Sequence, residues 1–318
     1  MDIAAIGELL IDFTPEGTAN SYKANPGGAP ANLLAQTSRL GKTAAFMGMV
    51  GDDHFGHYLR STLQDFAIDT QALCLSTNCP TTLAFVHIDP TGDRSFTFYR
   101  NPGADQMFTA NDIRHDTIRD CRYFHFGGVS LSKEPMRTAT LEAIKYARQL
   151  KKTVTFDPNY RPMLWQSEEE AMRFQKEGIS ICDVLKVSDE EALLLTGESD
   201  LEAAVACLRD MGPQLVFITC GAKGCLVSFK SEIVYSPAYD RPRVDTTGAG
   251  DSFFGAALSR LMDSVERLDQ LDTDKVKDIA AYGNAAGSIT VSAYGAMPSL
   301  PDHTGIVNCM QEGALTTE

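Results

Sequence analysis

Cations are scarce in this chain: 28 Lys and Arg stand against 42 Asp and Glu among 318 residues, a net charge of −14. The deficit argues against nucleic acid and an anionic membrane as partners, because no basic tract offers the positive footprint that a phosphate polymer needs. An anionic ligand must therefore be held locally. No apolar run approaches the roughly 18 residues that a membrane helix requires. The start, Met1-Asp2-Ile3, is acidic where a signal peptide is basic, so a cytoplasmic location is expected. Eight cysteines, at 74, 79, 121, 182, 207, 220, 225 and 309, include no C-x-x-C and no short-range pairing with His. Neither a zinc site nor a redox pair is indicated, and the thiols read as buried small hydrophobes. Two nucleotide fingerprints are also missing. No G-x-G-x-x-G follows a strand pattern, which removes the main argument for a dinucleotide-dependent dehydrogenase. Gly41-Lys42-Thr43 would complete a Walker A loop only with Gly at position 36, which is Gln36. Gly41 reads instead as the residue beyond the end of a helix over Pro30–Leu40.

Apolar residues make up 43% and charged residues 22%, enough to build a large core. Short apolar runs at Ile3–Gly7, Ala44–Val50, Tyr123–Phe126, Thr153–Phe156, Val184–Val187 and Leu215–Thr219 suit strands buried on both faces. Between them lie helical patterns such as Met136–Leu150 and Leu201–Met211. The alternation predicts a doubly wound α/β fold with a mostly parallel sheet. Leu10–Lys23 and Thr81–Arg100 break the rhythm: both alternate like strands, the second around a turn at Asp89-Pro90-Thr91-Gly92-Asp93. They predict a small separate sheet that could act as a lid. Beyond residue 250 the chain reads as mainly helical, with Asp263–Lys277 as a polar connection.

Two segments carry chemistry. Asp245-Thr246-Thr247-Gly248-Ala249-Gly250-Asp251 is a small-residue loop that opens a helix marked by Phe254, Leu258, Leu261 and Met262. Such a loop binds anions, since the first amides lack partners and the helix dipole favours negative charge. Asp251 either takes a proton from a hydroxyl attacking a bound phosphate or merely offsets the dipole. Asn25-Pro26-Gly27-Gly28-Ala29-Pro30-Ala31-Asn32 permits close backbone approach to a ligand and presents an amide with donor and acceptor, a lining suited to a polyol. It equally suits a glycine turn before a helix.

Gly27-Gly28-Ala29-Pro30-Ala31-Asn32, with Gly41, Gly48 and Gly51, resembles the first signature of the ribokinase-like (PfkB) carbohydrate kinases, and Asp245–Leu258 resembles the second. The resemblance spans about Asp2 to Asp302. It implies one kinase domain over 1–318, a Rossmann-like body with a β-sheet lid from about 10–23 and 81–100, and transfer of the γ-phosphoryl of ATP to a sugar hydroxyl. Asp251 then falls at the catalytic-base position, Gly248, Ala249 and Gly250 supply anion-hole amides, and Arg161 leans towards the transferred phosphate. Asp12, Gly28, Asn32, Arg100 and Asn159 fall at or near the sugar. Lys186, Ser188 and Glu191 match an N-x-x-E element that organises Mg2+ and phosphate, with Ser188 replacing Asn. Ser188 and Glu191 also fit a helix capping box. Thr219, Gly221, Gly224 and Asn284 fall beside the nucleotide. Asp245, Thr247, Thr290, Ala293, Gly295 and Ser299 match positions that hold a monovalent cation such as K+ in relatives. A homodimer formed through the lid is a further implication.

Asp157-Pro158-Asn159-Tyr160-Arg161-Pro162-Met163-Leu164-Trp165 is similar in fructokinases and 2-keto-3-deoxygluconate kinases. Phe96–Asp105, Phe124–Leu131 and Gly295–Pro301 resemble the fructokinase versions. The expected reaction is phosphorylation of fructose at its 6-hydroxyl. The alternatives are a keto-deoxy acid, with Arg100 against its carboxylate, and a non-catalytic sugar-responsive binding protein.

Overall fold

The chain is described by a computed structural model over residues 1–17, 20–88 and 94–313. Ten strands form the main sheet. Its order runs Glu232–Ser236, Cys225–Phe229, Leu215–Thr219, Val184–Ser188, Thr153–Asp157, Tyr123–Gly127, Ile3–Ile6, Ala44–Gly51 and Ile68–Asp69, and Leu73–Ser76 also pairs with Ala44–Gly51. All pairings from Leu215–Thr219 onward are parallel, and the first two strands add an antiparallel edge. Each expected apolar run is a strand. Ile3–Ile6 shows why: Ile3 and Ala5 pack into one core cluster with Phe254 and Leu258, while Ala4 and Ile6 pack into another with Phe124 and Ile144. Both faces are covered, so nothing in the run needs to be polar.

The strand order reverses at Ile3–Ile6, which has Ala44–Gly51 on one side and Tyr123–Gly127 on the other. Ligands of open α/β sheets bind outside the carboxyl ends of the strands at such a point. Over it stands a separate four-stranded sheet, ordered Tyr22–Gly27, Leu10–Pro15, Leu83–Ile88 and Arg94–Tyr99. This is the small separate sheet expected, called the lid below, with one correction. The second arm of its first hairpin runs on to Gly27, with Asp12 paired to Asn25 and Leu10 to Gly27, so the glycine segment begins on the lid and only then enters helix Ala29–Arg39. The turn expected over 89–93 lies outside the described residues.

Two other expectations are corrected. The polar connection of 263–277 shrinks to 265–272, because helix Ala249–Ser264 is followed by helix Thr273–Thr290. Asp272 accepts from the Lys275 amide at 2.9 Å and starts that helix, and Val276, Ile279 and Ala280 then bury one face. Of the cysteines, only 121, 182, 225 and 309 are buried; Cys74, Cys79, Cys207 and Cys220 are partly exposed.

Candidate active site

Helix Ala249–Ser264 begins after Gly248, which has φ 76° and offers no side-chain cap. A Cβ at Gly248 would lie 2.5 Å from the Ala296 Cβ, so both the backbone conformation and the close packing call for glycine. The amides of Gly250 and Asp251 have no intrahelical acceptors. Above them lies Lys186, from the middle of strand Val184–Ser188: a Cβ on Gly250 would sit 2.8 Å from its Nζ. A buried ammonium therefore stands beside these amides. Nζ lies 3.0 Å from Asp157 Oδ2. Burial works against its charge, but the carboxylates of Asp157, Glu191 and Asp251 outweigh burial and raise its pKa.

Asp251 is held from the opposite side. Asn32, one turn into helix Ala29–Arg39, donates from Nδ2 to Asp251 Oδ2 at 2.8 Å. Burial and the neighbouring Asp157 push the Asp251 carboxyl up to about 6, against the lowering influence of Lys186, Asn32 and Arg161. Asp12 faces the same space from the lid. Burial raises it to about 7, with Arg161 lowering it and Asp251 and Asp245 raising it. Its carboxylate packs on Gly27, where a Cβ would come within 2.1 Å of Oδ2. Glycine there leaves room for the acid. Asn32 is only 4% exposed, and its Oδ1 has no hydrogen-bond partner. An orphaned buried acceptor beside a carboxylate suits a ligand hydroxyl.

Ser188 and Glu191 form the capping box in both directions: the Glu191 amide donates to Ser188 Oγ at 3.1 Å, and the Ser188 amide to Glu191 Oε2 at 2.8 Å. Glu191 Oε1 also accepts from the Tyr160 amide at 2.6 Å, tying the Asp157–Trp165 segment to this helix. Arg161 projects from that segment, where Asn159 has φ 41°. Thr219 ends its strand beside the Gly221–Gly224 turn, whose two glycines have positive φ. Asn284 spends its amide on Ser236 and Pro237 carbonyls at 2.9 and 3.2 Å, so its side chain shapes that wall from behind.

The segments expected to hold a monovalent cation also meet. Asp245 accepts from the Thr247 amide at 2.7 Å and the Gly295 amide at 3.0 Å. Ser299 Oγ donates to the Gly295 and Ala296 carbonyls, and Thr290 turns its hydroxyl inward to Ala286 and Ser252. Ala293 closes the turn after Thr290. Arg100 departs from expectation. The residue is 6% exposed, and its guanidinium is held by Asp105 at 2.8 and 2.6 Å, with Ser132 Oγ at 3.3 Å. It is committed to the protein rather than directed at a ligand.

A profile described as pfkB family carbohydrate kinase matches residues 1–303. The chain belongs to that family. It is 39% identical to probable fructokinase-5 of Arabidopsis thaliana over 94% of each chain, and 38% identical to fructokinase-2 of Solanum lycopersicum over 98% of this chain and 97% of that one. The fructokinase of Vibrio cholerae, solved with fructose, ADP and a calcium ion, superposes with a TM-score of 0.89 at 32% identity, covering 97% of this chain and 99% of that one. The ATP-bound fructokinase of Xylella fastidiosa superposes with a TM-score of 0.92 at 29% identity, covering 98% of each chain. This pfkB chain is accordingly a sugar kinase, a phosphotransferase with an alcohol acceptor.

The sequence reading assigned no role to Asp157 and passed over Glu8 and His125. Asp157 could have been found as the polar residue closing a parallel strand at its carboxyl end. His125 sits within a strand, with its Nδ1 3.0 Å from Thr155 Oγ1 and its ring edge-on to Phe254. Burial, with the Lys186 charge, pushes it down to about 3, so it is a neutral part of the core beneath Lys186. No helix among the described residues is long and apolar enough to cross a membrane.

Proposed function

We propose that this kinase transfers the γ-phosphoryl group of ATP to the 6-hydroxyl of D-fructose, with Asp251 as general base. Asn32 occupies Oδ2 of Asp251 and leaves the other oxygen for the attacking hydroxyl. The Asn32 acceptor and the Asp12 carboxylate bind the remaining hydroxyls, Gly28 allows the sugar to approach the backbone, and Asn159 lies at the rim. The Gly248, Ala249 and Gly250 region with Lys186 receives the phosphate oxygens, and Arg161 faces the same charge. Phosphoryl transfer asks chiefly for this kind of positioning and charge stabilisation. The nucleotide lies along Thr219, Gly221 and Gly224, against the wall that Asn284 braces.

The site is acidic before substrates arrive: Asp12, Asp157, Glu191, Asp245 and Asp251 outnumber Arg161 and Lys186 among the groups that act on one another there. The carboxylates not given to the base, the sugar or the K+ loop, Asp157 and Glu191, fit Mg2+ entering with ATP, since the ion keeps several waters and is bound by few carboxylates plus phosphates. Glu191, both of whose oxygens accept backbone amides, and Ser188 would act on its water shell. K+ bound among Asp245, Thr247, Thr290, Ala293, Gly295 and Ser299 would order the loop that leads into the anion hole.

The observation that favours fructose over a keto-deoxy acid is the pairing of Arg100 with Asp105. It ties up the Arg that the sequence offered to a buried carboxylate, and an unpaired buried charge is costly. Two relatives with the fructokinase name support the same reading, as does the fructose-bound neighbour. The test is kcat/KM with Mg-ATP for fructose, 2-keto-3-deoxygluconate, ribose, tagatose and adenosine. Fructose should lead, and a preference for the keto acid would overturn the substrate assignment.

A further inference from the structure

Where the chain crosses between body and lid, one buried side chain ties two crossings together. Glu8 follows the first body strand and precedes lid strand Leu10–Pro15. Its Oε1 accepts from the Ala29 amide at 2.9 Å, at the point where the chain leaves lid strand Tyr22–Gly27 for helix Ala29–Arg39. The other two crossings are joined in the same way, since Thr82 and Arg100 both bond Asp105. Glu8 is 4% exposed, and its Oε2 has no hydrogen-bond partner. The local sequence explains the need for it. The helix starts after Gly28, at φ 115°, which carries no capping side chain. A Cβ there would meet the Glu8 carbonyl oxygen at 2.4 Å, so a capping residue has no room. Glu8 supplies from a distance what Ser or Asp would supply locally. One turn further on, the same helix presents Asn32 to Asp251 at 2.8 Å.

We propose that Glu8 is a positioning residue for phosphoryl transfer: by capping helix Ala29–Arg39 at the lid junction, it sets the place of Asn32 and thereby the orientation of Asp251. The inference rests on the kinase reading above, in which Asp251 is the base. The charged groups facing Asp251 are Asp157, Lys186, Arg161 and Asp12; those facing Glu8 are Arg100 and Asp105. Burial pushes the Glu8 carboxyl up to about 7, as expected where one oxygen stays unpaired. The Asn32 hydrogen bond lowers the pKa of Asp251, so a displaced Asn32 raises it. Simply deleting a negative charge at position 8 would act in the opposite direction, if at all. The two effects therefore differ in sign.

The experiment measures the pH dependence of kcat/KM for wild type, Glu8→Ala, Glu8→Gln, Asn32→Ala and the Glu8→Ala/Asn32→Ala double variant, with circular dichroism to confirm folding. Glu8→Ala should move the acid limb upward in the same direction as Asn32→Ala. The double variant should move it no further than Asn32→Ala alone, because the two act in series. Glu8→Gln keeps an acceptor for the Ala29 amide and should restore the wild-type limb. An unmoved limb in folded Glu8→Ala, or shifts that add in the double variant, would overturn the proposal. If Glu8→Ala does not fold, Glu8→Gln decides: a limb displaced downward shows that charge rather than capping is what matters, and the proposal fails. Wild type that leaves fructose untouched counts against the substrate assignment alone, and the limbs are then measured with whichever sugar of the panel is turned over.

Discussion

At the scale of single residues, the site depends on carboxylates held partly against their preference for water. Asp251→Asn keeps the shape of the side chain and its neighbour Asn32 but removes the proton acceptor. Turnover should fall by about 10²–10⁴-fold, while fructose and ATP still bind in calorimetric titrations. Retention of more than a tenth of the activity would make Asp251 a first-turn carboxylate and nothing more. With its carboxyl at about 6 in the unliganded site, wild-type kcat/KM should climb with pH through that value, since only the ionised acid accepts a proton. Asp12 makes the corresponding statement about stability. Its folded-state value of about 7 lies above the ordinary 3.8, so the folded protein binds this proton more tightly than the unfolded chain does. The contribution is fully present below pH 4 and is lost as pH rises towards 7 and beyond. Asp12→Asn should therefore raise the thermal midpoint by roughly 2 °C or more at pH 8, change it little at pH 4, and weaken fructose binding. A midpoint at pH 8 that does not rise would mean Asp12 is ionised there without cost. The residues of this site were legible unevenly. Asp251 announced itself as an acid inside an anion-binding loop. Asp12 and Arg161 came only through family likeness, because one acid after a strand or one Arg in a loop has no local signature.

At the scale of elements, the decisive piece is the helix start at Gly248. Gly248→Ala would force a Cβ into the left-handed region and against Ala296. The folded state should lose about 1–3 kcal/mol in urea titrations, and kcat should fall with it because the amides of the anion hole shift. Unchanged stability and turnover would show that this loop relaxes freely and is not preorganised. The helix itself was readable from its apolar spacing and small-residue entry. Lys186 was harder to place: it is the one charged residue in strand Val184–Ser188, and its distance from Gly250 depends on how that strand packs against a helix some sixty residues later in sequence. The same holds for the hairpin arm that extends to Gly27. Asn25-Pro26-Gly27 has the composition of a loop, but pairing with Leu10–Asp12 in the lid overrides local preference.

On the scale of the whole molecule, one face of the lid carries an aromatic cluster that the body covers only in part, Phe13 meeting Phe55 edge-on. Phe13 and Phe85 stack with centroids 4.7 Å apart, Tyr22 and Tyr99 pack edge-on to Phe85, and Tyr99 is 64% exposed. A second copy of the lid would cover this face, as a homodimer through the lid requires. Tyr99→Glu should accordingly lower the mass found by light scattering from that of a dimer to that of a monomer. A wild-type protein that is monomeric at micromolar concentration would rule the dimer out.

What the sequence by itself determined was the alternation of buried strand and helix, the small separate sheet and the small-residue loop that opens helix Ala249–Ser264, because each rests on spacing or composition within a few neighbouring residues. Tertiary structure alone decided which of the charged groups face one another. Arg100 read as an available cation until Asp105 and Ser132 were seen to hold it. Glu8 read as an unremarkable acid until Ala29 was found bonded to it across 21 residues. The physical reason is common to both. Burial and pairing set the cost and the charge state of an ionisable group, and its partners are brought to it by the packing of distant segments, about which local sequence carries no information.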